Sequence, residues 1–135
     1  MADLAVSSTL VVTHPNAPFE TGISGDSLTA GMGAYHDPTD DRWKRAVATA
    51  QLTAAARGII THNCSSGQPV RVQTADEISF GGWITIGETY IVSTNAGGIA
   101  PIADLTTGSW VTHIGVGATT NNIDLNVYRS GVQKT

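Results

Sequence analysis

The feature that most limits how this chain can fold is a short phrase that occurs twice. Leu28-Thr29-Ala30-Gly31 is followed by Tyr35, and Ile84-Thr85-Ile86-Gly87 is followed by Tyr90. Each copy runs apolar, threonine, apolar, glycine, then reaches an aromatic residue. Glycine adopts positive φ without a steric penalty, so each copy spells a strand turning at a glycine into a second strand. The repetition predicts that Gly31 and Gly87 are structural turns of two related hairpins.

Composition supports a β-rich reading. Only 13% of the 135 residues are charged and 15 are glycine, a balance that favours strands and turns over long solvated helices. A length of 135 residues suits one domain with a real core. The net charge of −4 is mild, and the sole basic cluster is Arg42, Lys44 and Arg45, which argues against nucleic-acid binding. The single cysteine, Cys64, has no internal partner for a disulfide. No apolar stretch approaches the roughly 20 residues that span a bilayer, and no charged-then-apolar leader opens the sequence. The expectation is a soluble protein made in a reducing cytoplasm, without nucleic-acid or membrane partners.

Along the chain, Thr9 to Thr13 is β-branched and stops at His14-Pro15-Asn16-Ala17-Pro18, where two prolines end any ladder. It reads as an extended N-terminal arm, residues 1–18, ahead of a single β-rich domain, residues 19–135. The Ala-rich run Ala46 to Ala56, closed by Gly58, is the one helix candidate. Short strands are expected at Ala34 to His36, Trp43 to Val47, Ile59 to His62, Val70 to Gln73 and Glu77 to Phe80. Others follow at Trp83 to Ile86, Thr89 to Ser93, Trp110 to Val116 and Ile123 to Tyr128. The fold class is therefore all-β, a barrel or sandwich of tulip-like form, with one short helix and an extended arm.

Gly25-Asp26-Ser27-Leu28 resembles the nucleophile block of the GDSL esterases. That family sets a serine at the end of a buried strand and uses a histidine three residues after an aspartate as base. The residues three before His14, His36, His62 and His113 are Val11, Gly33, Ile59 and Trp110, so the base motif is missing. Pro18 to Ser24 also reads as a turn rather than a buried strand. Ser27 is expected to be structural and the protein not an enzyme. His62 and Cys64 could share a face but lack a second ligand pair. Asp37, Asp40 and Asp41 lack the ladder of a calcium loop. Trp43, Trp83 and Trp110 have no regular spacing and are expected in a core or an interface. No metal or other cofactor is implied.

Most of the chain is covered by another resemblance. The order Leu28-Thr29-Ala30-Gly31, Trp43-Lys44-Arg45-Ala46, Arg57-Gly58-Ile59 and Ser66-Gly67-Gln68-Pro69-Val70 opens it. Gly87-Glu88-Thr89-Tyr90-Ile91-Val92-Ser93, Gly97-Gly98-Ile99-Ala100-Pro101, Gly108-Ser109-Trp110-Val111-Thr112 and Ile114-Gly115-Val116-Gly117 continue it. This succession resembles the small capsid decoration, or cement, proteins of tailed bacteriophages. The resemblance implies a structural virion protein on the outer surface of a capsid, made in the host cytoplasm. Its implied partners are the major capsid protein and itself, as a homotrimer. A tail-fibre or baseplate module, or a plain β-barrel binding module, shares the composition.

In the arm, Leu4, Val6, Leu10 and Val12 share a parity, with Val11 beside them. If extended, the arm has one apolar face that a capsid or sister subunit could cover.

Overall fold

The computed structural model describes residues 3, 4 and 6–135. Strand β1 is Val12–Thr13, β2 Phe19–Ser24, β3 Gly33–Asp37, β4 Arg42–Arg45, β5 Gly58–Ile60 and β6 Pro69–Gln73. Then come β7 at Ala75–Ser79, β8 at Thr89–Val92, β9 at Ile99–Pro101, β10 at Trp110–Gly117 and β11 at Asn122–Gln133. One helical turn, α1, spans Gln51–Ala54, and short 3-10 turns lie at Ser8–Leu10 and Ile102–Asp104. The class is all-β, with one closed barrel and a second sheet.

The barrel runs β2-β4-β3-β5-β6, and the sheet runs β1-β7-β11-β10-β8-β9. Read from β9, the sheet repeats the barrel's order, with β7 to β11 in the places of β2 to β6. The registers agree as well. Gly33↔Ile59 and Ala34↔Gly58 in the first unit match Thr89↔Val116 and Tyr90↔Gly115 in the second. Ile59↔Gln73 and Ile60↔Val72 match Val116↔Asp124 and Gly117↔Ile123. Ala34↔Arg45 and His36↔Trp43 match Tyr90↔Pro101 and Val92↔Ile99. The chain is thus two five-strand units in tandem, residues 19–73 and 75–133.

The repeated phrase marks this duplication, and its two turns are alike. Gly31 has φ +94° and Gly87 φ +83°. Met32 N–H donates to Thr29 O, and Glu88 N–H to Thr85 O, each at 3.2 Å. A hydrogen-bonded turn with positive φ at its third residue is type II, the form that selects glycine there. The aromatic residues of the phrase are not equivalent. Tyr90 corresponds to Ala34, whereas Tyr35 lies one residue further and on the opposite face.

That offset reflects an exchange of volume inside the two units. The first barrel is filled by Trp43, beside which sit Ala34 and Gly22; a Cβ on Gly22 would lie 2.7 Å from Trp43 Nε1. The registers of β2 with β6 and β7 with β11 place Phe80 where Gly22 stands, while Ile99 takes the place of Trp43. Phe80, Tyr90 and Ile99 therefore fill the second interior as Gly22, Ala34 and Trp43 fill the first. A core keeps its total volume while individual positions trade size.

Strand β5 is buried on both faces, since neighbouring side chains of a strand point opposite ways. Ile60 enters the first barrel with Leu28, Cys64, Val70 and Val72, and Ile59 faces the larger core shared with the second unit. Gly58 lies within β5, where a Cβ would be 2.2 Å from Gln73 O; Gly115 stands likewise 2.3 Å from Asp124 O. It does not close a helix as expected. The Ala46 to Ala56 run holds only the single turn α1. Its alanines are packed for close approach instead: Ala46, Ala48 and Ala56 lie in the shared core. Ala48 N–H donates to Ser93 O at 2.9 Å, and Trp110 N–H to Ala48 O at 2.8 Å.

Candidate functional site

In the first unit, the barrel closes where β2 meets β4 in parallel, at Ile23↔Arg42 and Ser24↔Trp43. The equivalent residues of the second unit are Gly81 with Gly98 and Gly82 with Ile99, and the N-terminal arm lies there. Leu4 N–H donates to Ile99 O at 2.7 Å, and Asp3 accepts from Asn95 Nδ2 at 3.1 Å. A Cβ on Gly98 would meet Asp3 Oδ2 at 2.3 Å, and one on Gly81 would meet Leu10 Cβ at 2.5 Å. Further on, β1 pairs with β7 at Val12↔Ser79 and Thr13↔Ile78. The arm is therefore the wedge that fills the seam of the second unit.

This changes the expected arm face. The 3-10 turn at Ser8–Leu10 breaks the parity that an extended chain would keep. Leu4, Val6 and Val11 pack on the protein's own core. Val6 and Val11 also touch the Gly31 turn, where a Cβ would lie 2.4 Å and 3.1 Å from their methyl carbons. Leu10 and Val12 stay 50% and 61% exposed. Of the five arm residues singled out by pattern, these two remain available to a partner.

Close to them stands a loop that the sequence reading places in a strand. Gly81, Gly82 and Trp83 have φ of +82°, +148° and +69°. A bulky residue at positive φ is a true outlier. Trp83 is 77% exposed, and Ile86 in the following turn is 65% exposed. The loop is held at its ends. Ile84 N–H donates to Thr120 O at 3.1 Å, and Gly87 N–H to Gly117 O at 2.8 Å. Ile84 itself is buried, so the strained backbone is anchored while the indole points into water.

At the far end of the β10–β11 hairpin is an open cleft of about 310 Å³, lined by Ala54, Ala55, Trp110, Thr112, Arg129 and Gly131 among others. Thr112 Oγ1 donates to Ala54 O there. Gly131 has φ +67° and follows Ser130, whose hydroxyl donates to Val111 O at 2.6 Å.

A second cleft, of about 330 Å³, opens beside the first barrel between Glu20, His36, Asp41 and Arg57. His36 Nε2 lies 2.6 Å from Asp41 Oδ1, and Arg57 Nη2 lies 3.0 Å from Glu20 Oε1. Trp43 forms its floor. That ring is buried, edge-on to His36 at 5.4 Å and with Arg57 5.8 Å from its centroid, so it offers no open face for stacking. Beside this cleft Lys44 Nζ bridges Asp37 and Asp40, each at 2.9 Å. The Lys44 hydrogen bond, followed by those from Thr39, holds the Asp37 carboxyl far below the ordinary carboxylate range. Asp37 and then Asp40 raise the Lys44 ammonium correspondingly. The three aspartates thus brace a turn.

Comparison with models of known protein families and with curated proteins returns no match to this chain. Ser27 is exposed, and its carbonyl accepts from Arg45 Nε and Nη2 at 2.9 and 2.7 Å. Among the described residues, no histidine is hydrogen-bonded to it. His36 engages Asp41, His62 the Asn63 carbonyl, and His113 the Asn126 carbonyl. Of Pro18 to Ser24, expected as a turn, Phe19–Ser24 forms strand β2, but Glu20, Gly22 and Ser24 face inward while Phe19, Thr21 and Ile23 face solvent. Cys64 is buried in the first barrel. The described residues contain no cluster of three or more His, Cys, Asp or Glu placed to hold a metal ion.

The sequence signal for the tryptophan loop was Gly81-Gly82 directly before Trp83. Two glycines free the backbone for unusual φ, and the residue after them is carried out of the ladder. The cleft at the other end of the hairpin left no signal, since its lining comes from separated segments.

Proposed function

We propose that this chain is a structural virion protein that binds the outside of a phage capsid as an oligomer and stabilises neighbouring major capsid subunits. The observation that carries the reading is the exposed apolar set Leu10, Val12, Trp83 and Ile86, carried on an all-β body. Large apolar side chains in water mark surfaces that a partner covers, and aromatic anchors dominate such contacts. The strain at Trp83 points the same way, because strained backbone persists where function requires the geometry it gives. The ordered resemblance of both halves to phage decoration proteins supplies the partner, the major capsid protein, and the place, the outer capsid surface.

The chemistry of the contact follows from the exposed side chains. Burying them removes apolar area from water at roughly 25 cal/mol per Å², and low surface charge limits the desolvation penalty. Adding the purified chain to expanded heads that lack it should raise the temperature at which those heads release their contents. Heads with the same release temperature with and without bound chain would refute a stabilising role.

A further inference from the structure

We infer that copies of this chain join head to tail, with Trp83 of one copy seated in the cleft between α1 and the β10–β11 hairpin of the next. The inference rests on the oligomeric part of the proposed function and names the contact that would build it. Knob and hole occupy opposite ends of one hairpin. Ile84, next to Trp83, abuts Gly117 at the end of β10, where a Cβ would meet Ile84 Cγ2 at 2.9 Å. Trp110, at the start of β10, lines the cleft. Seven strand steps of about 3.4 Å separate these ends by roughly 24 Å, so Trp83 cannot fill the cleft of its own chain.

The cleft suits an indole in size and chemistry. Its volume is about 310 Å³, about twice the roughly 150 Å³ cavity that holds a benzene ring. Ala54, Ala55 and Gly131 leave room, Trp110 offers an aromatic wall, and Arg129 offers a guanidinium. Among the described residues Arg129 makes no ion pair, so its charge is open to the face of an incoming ring. A contact between two different patches is heterologous: each copy gives its tryptophan and receives its neighbour's, and a suitable rotation closes the chain of contacts into a ring.

Complementation between two variants tests this by analytical ultracentrifugation, on protein alone with no capsid present. Trp83→Ala removes the knob and keeps the hole; Ala55→Trp fills the hole and keeps the knob. Wild-type protein should self-associate, each variant alone should sediment as a monomer, and their mixture should give a 1:1 heterodimer. Arg129→Glu, an exposed position, replaces Ala55→Trp if that variant does not fold. Loss of the indole should weaken association on the order of thirtyfold. A monomeric wild type, a Trp83→Ala variant that associates like wild type, or a mixture that stays monomeric would each overturn the inference. Capsid binding by a chain that fails these tests would leave the virion reading standing, and association without capsid binding would do the reverse.

Discussion

Gly31 and Gly87 occupy the same place in two copies of one structural unit, down to their hydrogen bonds. Gly31 N–H donates to Ile60 O at 2.9 Å, and Ile60 N–H returns a bond to Met32 O at 2.8 Å. Gly87 N–H donates to Gly117 O at 2.8 Å, and Gly117 N–H returns one to Glu88 O at 2.9 Å. The surroundings differ: the arm presses on Gly31, while a Cβ on Gly87 would meet nothing within 4 Å.

Alanine at the two positions should therefore have unequal effects. Gly87→Ala should cost about 1–2 kcal/mol, the conformational penalty of an L-residue in a left-handed turn. Gly31→Ala adds overpacking against Val6 and Val11 and should cost about 2–5 kcal/mol in total. Urea unfolding of both variants measures the gap, and equal losses would show that the arm does not press on the first turn.

Removal of residues 2–13 should open the second unit. The arm supplies Leu4, Val6 and Val11 to the core and covers the seam between Gly81 and Gly98. Partial burial of three such side chains predicts a loss on the order of 3–5 kcal/mol. Thermal unfolding tests this, and hydrogen exchange should rise at Ser79, which pairs with Val12 of the arm. An unchanged melting temperature would mean that the arm rests on a unit already closed.

Trp83→Gly should stabilise the monomer by about 0.5–1 kcal/mol, since glycine relieves the positive φ while the exposed indole gives up little burial. The same substitution should weaken association between copies on the order of thirtyfold. A destabilised monomer would show that the indole has a structural role in its own chain.

The Asp37–Lys44 pair sets a pH window. Asp37 ionises below its ordinary value of 3.8, so its contribution is complete above that value and is lost as pH falls through the folded-state value. Lys44 titrates above its ordinary 10.5, so its contribution is complete below that value and is lost as pH rises through the folded-state value. Between about pH 5 and 10 the pair should give a constant term. The melting-temperature difference between wild type and Asp37→Asn should be flat there and shrink in strong acid. A difference that changes across the neutral range would assign it to other groups.

The turns were legible because glycine at positive φ leaves a local mark, and Leu28 and Ile84 are buried beside both. Strands β8, β10 and β11 were legible for a similar reason: their buried residues alternate or run together. Strand β2 was hidden because Trp43 fills the barrel and leaves room inside only for Glu20, Gly22 and Ser24, which inverts the apolar pattern. The alanine run was misread because small side chains serve a close packing of two units as well as they serve a helix. The larger duplication was masked by the exchange of Gly22, Ala34 and Trp43 for Phe80, Tyr90 and Ile99. Pairwise size swaps preserve a core while erasing likeness between sequences. The arm's place in the seam depends on contacts with Gly81, Gly98 and Ile99, all more than 70 residues away, which no local pattern encodes.

The most direct test of the virion reading is occupancy on heads, measured by sedimenting expanded tailed-phage heads with the chain that is made alongside them and scanning the pellet on a gel. The account predicts saturable binding at a fixed ratio to the major capsid protein, reduced by Leu10→Asp and by Val12→Asp, both exposed on the arm, with the fold intact. A chain that stays in the supernatant at every concentration, or that binds equally well with both apolar side chains replaced, would contradict it.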